Sequence, residues 1–204
     1  MRLFLPIFLL SAFWVSLSGC GQKNKPDSQP YFTKTDSLTE IYLSFQDSLH
    51  KRWNIMINDD NQKITSMHSL LHELIVTHPE NAEQYTALEE RLEQLSRMRY
   101  TQKSMINGHV VEEYDFASNA LIMELVTSAE SLKEYSYNST MQKLVDRILT
   151  ADHNMLYYRI SYDSIVAQFN SFVDENHGYL EQSELDLKIE KKPLFQMTAV
   201  EELQ

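Results

Sequence analysis

The chain has 204 residues, 43% hydrophobic and 23% charged, which is enough apolar material for a packed core and too much for wholesale disorder. Four Gly, five Pro and one Cys exclude a turn-rich β-sandwich, a Gly-rich phosphate loop, an internal disulfide framework and a Cys-based zinc site. With 18 Lys and Arg against 29 Asp and Glu, the chain offers no basic face to nucleic acid, and what remains is a long-helix, all-α protein.

Residues 1–20 read MRLFLPIFLLSAFWVSLSGC. Arg2 and the amino terminus supply a short positive region, and Leu3 to Leu17 is a nearly unbroken apolar run. That run is shorter than the roughly 20 residues of a membrane span and fits the core of a signal peptide. It ends in Leu17-Ser18-Gly19-Cys20, which resembles the bacterial lipobox. The resemblance implies a signal peptide over 1–19, cleavage before Cys20 and a diacylglycerol on its thiol, so the chain is expected to meet a membrane through an N-terminal lipid. Gly21, where an Asp would retain such a protein at the inner membrane, favours the outer membrane, facing the periplasm. Residues 20–35 are polar, hold Pro26 and Pro30 and lack an apolar period, which predicts a flexible tether.

From 36 to 178 the only breakers are Pro79, Gly108 and Gly178, and these set the expected segmentation of a helical domain. Helix 1 is expected over 37–77, opened by a Ser37–Glu40 capping box, with a possible kink at Asn58-Asp59-Asp60-Asn61. Helix 2 is expected from Pro79 to a C-cap at Asn107-Gly108, carrying Tyr85, Leu88, Leu92, Leu95 and Met98. Helix 3 carries Val110, Tyr114, Leu121 and Leu125 and ends near Tyr135–Asn138. Helix 4 opens on a Ser139–Gln142 capping box. Its Leu144, Ile148, Ala151, Met155, Tyr158, Tyr162, Ile165, Phe169 and Phe172 alternate spacings of 4 and 3, a heptad seam that demands a partner helix. Two long and two shorter helices predict an elongated antiparallel four-helix bundle. Residues 179–204 read as a tail, partly docked through Leu194-Phe195.

Three stretches resemble the LemA family. Leu49 to Asn58 sits where that family has a two-basic, Asp-Leu-Ile-Pro-Asn stretch, with Asn54, Met56 and Ile57 departing from it. Asn154, Arg159, Tyr162, Val166, Phe169 and Asn170 reproduce the spacing of its Glu-Asn…Arg…Tyr-Asn…Val…Tyr-Asn pattern, with His153, Asp163 and Phe169 as replacements. Lys192-Pro193-Leu194-Phe195 is similar to its Lys-Pro-x-Phe, although the Gly-rich stretch before it is missing. The resemblance covers about 40–196. It implies a long helical bundle tethered outside the cytoplasmic membrane, working beside envelope proteins, with no catalytic residues to carry over.

The remaining chemistry is sparse. His68 and His72, at i and i+4, project from one helix face as zinc sites often require, and a third ligand is needed. Clusters Glu89-Glu90-Glu93 and Glu112-Glu113-Asp115 lie opposite the apolar stripes and are expected to be solvated. No G-x-S-x-G supports a Ser nucleophile. Asp36-Ser37-Leu38, Asp47-Ser48-Leu49 and Asp163-Ser164-Ile165 resemble a bacterial O-glycosylation sequence. Tyr157 and Arg159 fall outside the helix-4 seam, and such an exposed pair suits a partner surface. The expectation is therefore a lipid-anchored helical interaction or scaffold protein of the cell envelope, with no cofactor and no catalysis of its own. The alternative is a periplasmic metal- or small-ligand-binding protein using His68 and His72.

Overall fold

The computed structural model describes residues 32–195. It contains four helices: α1 (Lys34–Thr77), α2 (Ala82–Arg97), α3 (Gly108–Glu130) and α4 (Ser139–Leu180). Short 3-10 turns at Pro79–Asn81, Ser104–Ile106 and Lys133–Ser136 join them, and no strand occurs among the described residues. At 1.5 Å per residue the 44 residues of α1 and the 42 of α4 make helices of roughly 66 and 63 Å. Cys20, the leader, most of the tether and residues 196–204 lie outside the described residues.

Several boundaries differ from the sequence reading. The capping box of α1 is Thr33–Asp36: Asp36 N donates to Thr33 Oγ1 at 3.1 Å and Thr33 N donates to Asp36 Oδ2 at 2.8 Å. Residues 34–36 contain no breaker, so the helix extends back past Ser37 to the earlier cap. This pair also holds the Asp36 carboxyl below its usual range, chiefly through the bond from the Thr33 backbone. α1 runs through Asn58–Asn61 without interruption. α2 stops at Arg97, ten residues before the expected end at Asn107. Arg99 reaches Asn61 of α1, and the Tyr100 ring is buried between Trp53 and Tyr114, so tertiary contacts override helix propensity there. Asn107 is then an N-cap rather than a C-cap, its Oδ1 accepting from His109 N at 3.3 Å. α4 is capped by Asn138, whose Oδ1 accepts from Thr140 N and Met141 N, while Gln142 turns back to the Tyr135 and Ser136 carbonyls. It continues through Gly178 to Leu180.

The contacts of α1 descend along α4 as they rise along α1: Tyr42 with Phe169, Trp53 with Tyr162, Lys63 with Asp152, Glu73 with Asn138. Because α2 and α3 are short, they cover only part of this long pair. One core combines Met56–Leu74 of α1 with α2, α3 and the first half of α4. A second core joins Tyr42 and Leu49 to Tyr162, Val166, Phe169 and Val173 of α4. Leu187, Ile189, Leu194 and Phe195 from the tail pack against that second core, together with Val111 of α3. This explains the width of the α4 seam. Ile148, Ala151, Met155, Tyr162 and Phe169 are buried as the heptad predicts; Leu144, Tyr158, Ile165 and Phe172 are half-buried; and Met141, Val145, Val166 and Val173 are buried beside them. A helix with neighbours on two sides buries more than a two-helix seam.

Candidate functional site

A layer of charge interrupts the first core, and Arg159 lies where that core meets the second. In α1 the inward stripe Trp53, Met56, Asp60, Lys63, Met67, Leu70 keeps heptad spacing with two charged residues in its middle. In α4 the stripe Ile148, Asp152, Met155, Arg159, Tyr162 does the same. Lys63, only 2% exposed, places its ammonium 3.1 Å from Asp60 and 3.5 Å from Asp152. Tyr114 of α3 donates to Asp60 Oδ2 at 2.6 Å; burial, reinforced by the Asp60 charge, pushes the Tyr114 phenol far up from its ordinary pKa. Buried charges of this kind are tolerated because each has a partner of opposite sign or a hydrogen bond.

Arg159 corrects the sequence reading. It lies on the inward stripe, its side chain 17% exposed, and binds both oxygens of Asp115 at 2.6 and 2.7 Å. Its Nη2 also donates to the Tyr100 hydroxyl at 2.9 Å. Burial pulls its pKa down, but the bonds to Asp115 and Tyr100 more than offset that and leave it above the ordinary value. Asp115, expected on a solvated face, is half of a bidentate pair. Arg159 is therefore not a free surface residue, whereas Tyr157 is 59% exposed, its ring against His153 at 5.2 Å. The heptad frame fails to reveal Arg159 only if charged residues are barred from it; stepping 4 and 3 from Ile148 lands on Asp152 and Arg159.

Next to Arg159 the tail closes the site. Phe195 stacks on Trp53 at 6.2 Å and 10°, and meets Tyr162 and Tyr100 edge-on at 5.6 and 5.9 Å. The Arg159 guanidinium lies 5.0 Å from its centroid, a cation–π distance. Phe195 N donates to Asp163 Oδ1 at 2.9 Å. Asn170 clamps Lys192 on both sides, accepting from its N–H at 2.8 Å and donating to its carbonyl at 2.9 Å. Tyr42 donates to the Lys188 carbonyl at 2.7 Å, and Lys191 pairs with Asp174 at 2.7 Å. A cavity of about 340 Å³ adjoins Phe195, lined among others by Met105, Val111, Glu112, Asp115 and Arg159. A second, polar cleft of about 510 Å³ lies between α1 and α4 and includes Asp59, Gln62, Ser66, Arg147 and Asn154.

His68 and His72 border a shallow depression with Glu73, Thr140 and Leu144. His68 Nε2 is 3.8 Å from Glu93, and among the described residues no group of three or more His, Cys, Asp or Glu is placed to hold a metal ion. No described helix is long and apolar enough to cross a membrane. No protein-family model, curated protein or solved structure matches the chain.

Proposed function

We propose that the protein is a LemA-like lipoprotein of the cell envelope, anchored through Cys20 and built as an antiparallel four-helix bundle that serves as an interaction or scaffold protein without catalysis of its own. The observation that carries this reading is a convergence. Arg159, Tyr162 and Asn170, three positions of the family-like α4 pattern, and Asp163, a replacement within it, all contact the Lys192–Phe195 stretch that resembles the family's C-terminal motif. The paired order of contacts along α1 and α4 supports the antiparallel arrangement. Exposed Leu149, Leu156, Tyr157 and Ile160 on α4 supply an apolar surface suited to a protein partner.

Mass spectrometry of the mature protein tests the anchor: the expected N-terminus is an acylated Cys20, and Cys20→Ala leaves an unprocessed, unacylated precursor. An unmodified Cys20 refutes it. Crosslinking in cells followed by affinity capture tests the interaction, with Tyr157→Ala expected to lose partners that the wild type retains.

A further inference from the structure

The tail leaves α4 at Leu180 and returns along α1 and α4 without α-helix or strand among its described residues. Its hydrogen bonds to α1 and α4 at Lys188, Lys192 and Phe195 use tail main-chain atoms, met by side chains of Tyr42, Asn170 and Asp163. Such contacts are indifferent to the tail's own side chains. Selectivity comes from the tail's side chains: Leu187, Ile189 and Leu194 pack on the second core, and Phe195 is the aromatic anchor in a box of Trp53, Tyr100, Tyr162 and Arg159. This division, main-chain bonds for affinity and a pocket for one anchor, is how grooves hold extended peptides. Phe195 stays half-exposed while Tyr100 and Tyr162 beneath it are buried. The adjoining 340 Å³ cavity offers room beyond the ring. Residues 188–195 carry three Lys against one Glu, and Lys191 pairs across the groove with Asp174 at 2.7 Å while Lys188 pairs with Glu190 of the tail itself.

We propose that residues 188–195 are a built-in pseudo-ligand, and that the groove beneath them docks an extended, basic segment of a partner protein with a Pro–apolar–Phe end, which displaces the tail. The proposal rests on the reading of the protein as an interaction module, but its test is made on the purified chain and fails separately from capture in cells. Displacement needs no helix to unwind. It exposes the core around Tyr42, Leu49 and Phe169 unless a second peptide covers it, so release and partner binding are coupled. The tethered tail competes at an effective concentration of order millimolar, which masks the groove from weak ligands.

The probe is a fluorescent peptide of residues 186–195, followed by anisotropy against three full-length proteins. These are the intact chain, a chain cut after folding at a protease site inserted between Glu184 and Leu185, and Phe195→Ala. The cut chain and Phe195→Ala are expected to bind the peptide at least about tenfold more tightly than the intact chain. The same peptide carrying Phe195→Ala is expected to bind none of them, and helical circular dichroism of the cut chain is expected to be unchanged. Loss of the helical signal on cutting makes the tail an inseparable part of the core and overturns the proposal. So does a cut chain that refuses the peptide, or a folded Phe195→Ala chain that binds no better than the intact one. An intact chain that runs as a dimer dissolved by the peptide would assign the groove to a second copy's tail, overturning its assignment to another protein.

Discussion

Replacing Arg159 by Ala discriminates between a surface arginine and one that ties three elements together. The substitution removes a bidentate bond to Asp115, a bond to the buried Tyr100 hydroxyl and two guanidinium–ring contacts, to Phe195 and Tyr100. Removing one partner of a fully buried ion pair costs about 3–5 kcal/mol. The Asp115 side chain is 37% exposed, so water recovers part of that loss, and about 2 kcal/mol is the appropriate share. The lost ring contacts add about 1 kcal/mol. The expected destabilisation is about 3 kcal/mol against a typical total of 5–15, or a melting temperature lower by about 6–12 °C. Urea unfolding followed by circular dichroism measures it, with Tyr157→Ala as the control expected to stay within about 0.5 kcal/mol. A double-mutant cycle with Asp115→Ala should return a coupling of about 1–2 kcal/mol. If Arg159→Ala and Tyr157→Ala unfold at the same urea concentration, the inward role of Arg159 is wrong.

Phe169, fully buried against Tyr42 and Phe45, should cost about 3–5 kcal/mol when cut to Ala, read in the same urea experiment; a loss under about 1 kcal/mol would dissolve the second core as described. The buried Tyr162 hydroxyl has no hydrogen-bond partner among the described residues, so Tyr162→Phe should be neutral or stabilising by up to about 1 kcal/mol at pH 7. Burial, with the Asp163 charge, pushes that phenol up to about 12. Between pH 10 and 12 the unfolded chain therefore loses a proton that the folded chain keeps, stability falls as pH rises, and Tyr162→Phe should fall less; equal slopes for the two proteins would contradict the assignment. Elemental analysis of the purified protein should find no stoichiometric zinc, and about one metal per chain, lost in His68→Ala, would favour the metal-binding alternative.

Much of the helical framework was legible from periodicity and punctuation. The long α4 follows from a sustained heptad, α1 from a stretch without breakers, and the break at His78–Pro79 from a proline that cannot continue a helix. Less legible were features set by tertiary contacts. The end of α2 at Arg97 depends on where Tyr100 is buried, which no local pattern encodes. Thr33–Asp36 and Ser37–Glu40 both spell a cap, and only continuity of the backbone decides between them. The polar layer was hidden for a different reason. Asp60, Lys63, Asp152 and Arg159 sit in register with the apolar stripes, and a reading that counts only apolar residues steps around them. Their heptad positions were available; their pairing across helices was not. The apolar Leu194-Phe195 pair suggested docking, but the Trp53–Tyr162–Arg159 box that receives it is assembled from two distant helices.

The division of the core in two has a consequence for the order in which the chain acquires its structure. Synthesis delivers α1 first, while its partners on α4 come much later, Glu73 and Asn138 being separated by 65 residues and Lys63 and Asp152 by 89. α2 and the residues just after it follow at once and can shelter the stretch from Asn61 to Leu74, through contacts such as His68 with Glu93 and Arg99 with Asn61. Among the described residues clustered with Tyr42 and Leu49, only Met105 and Val111 lie between α1 and α4. Tyr42 and Leu49 wait for Phe169 and Val173, and then for the tail, so contact formation at this end is among the most non-local in the molecule and the slowest to begin. During biogenesis the first half of α1 is accordingly the segment with the longest exposure of apolar surface, and the place where a holding chaperone has most to gain by binding.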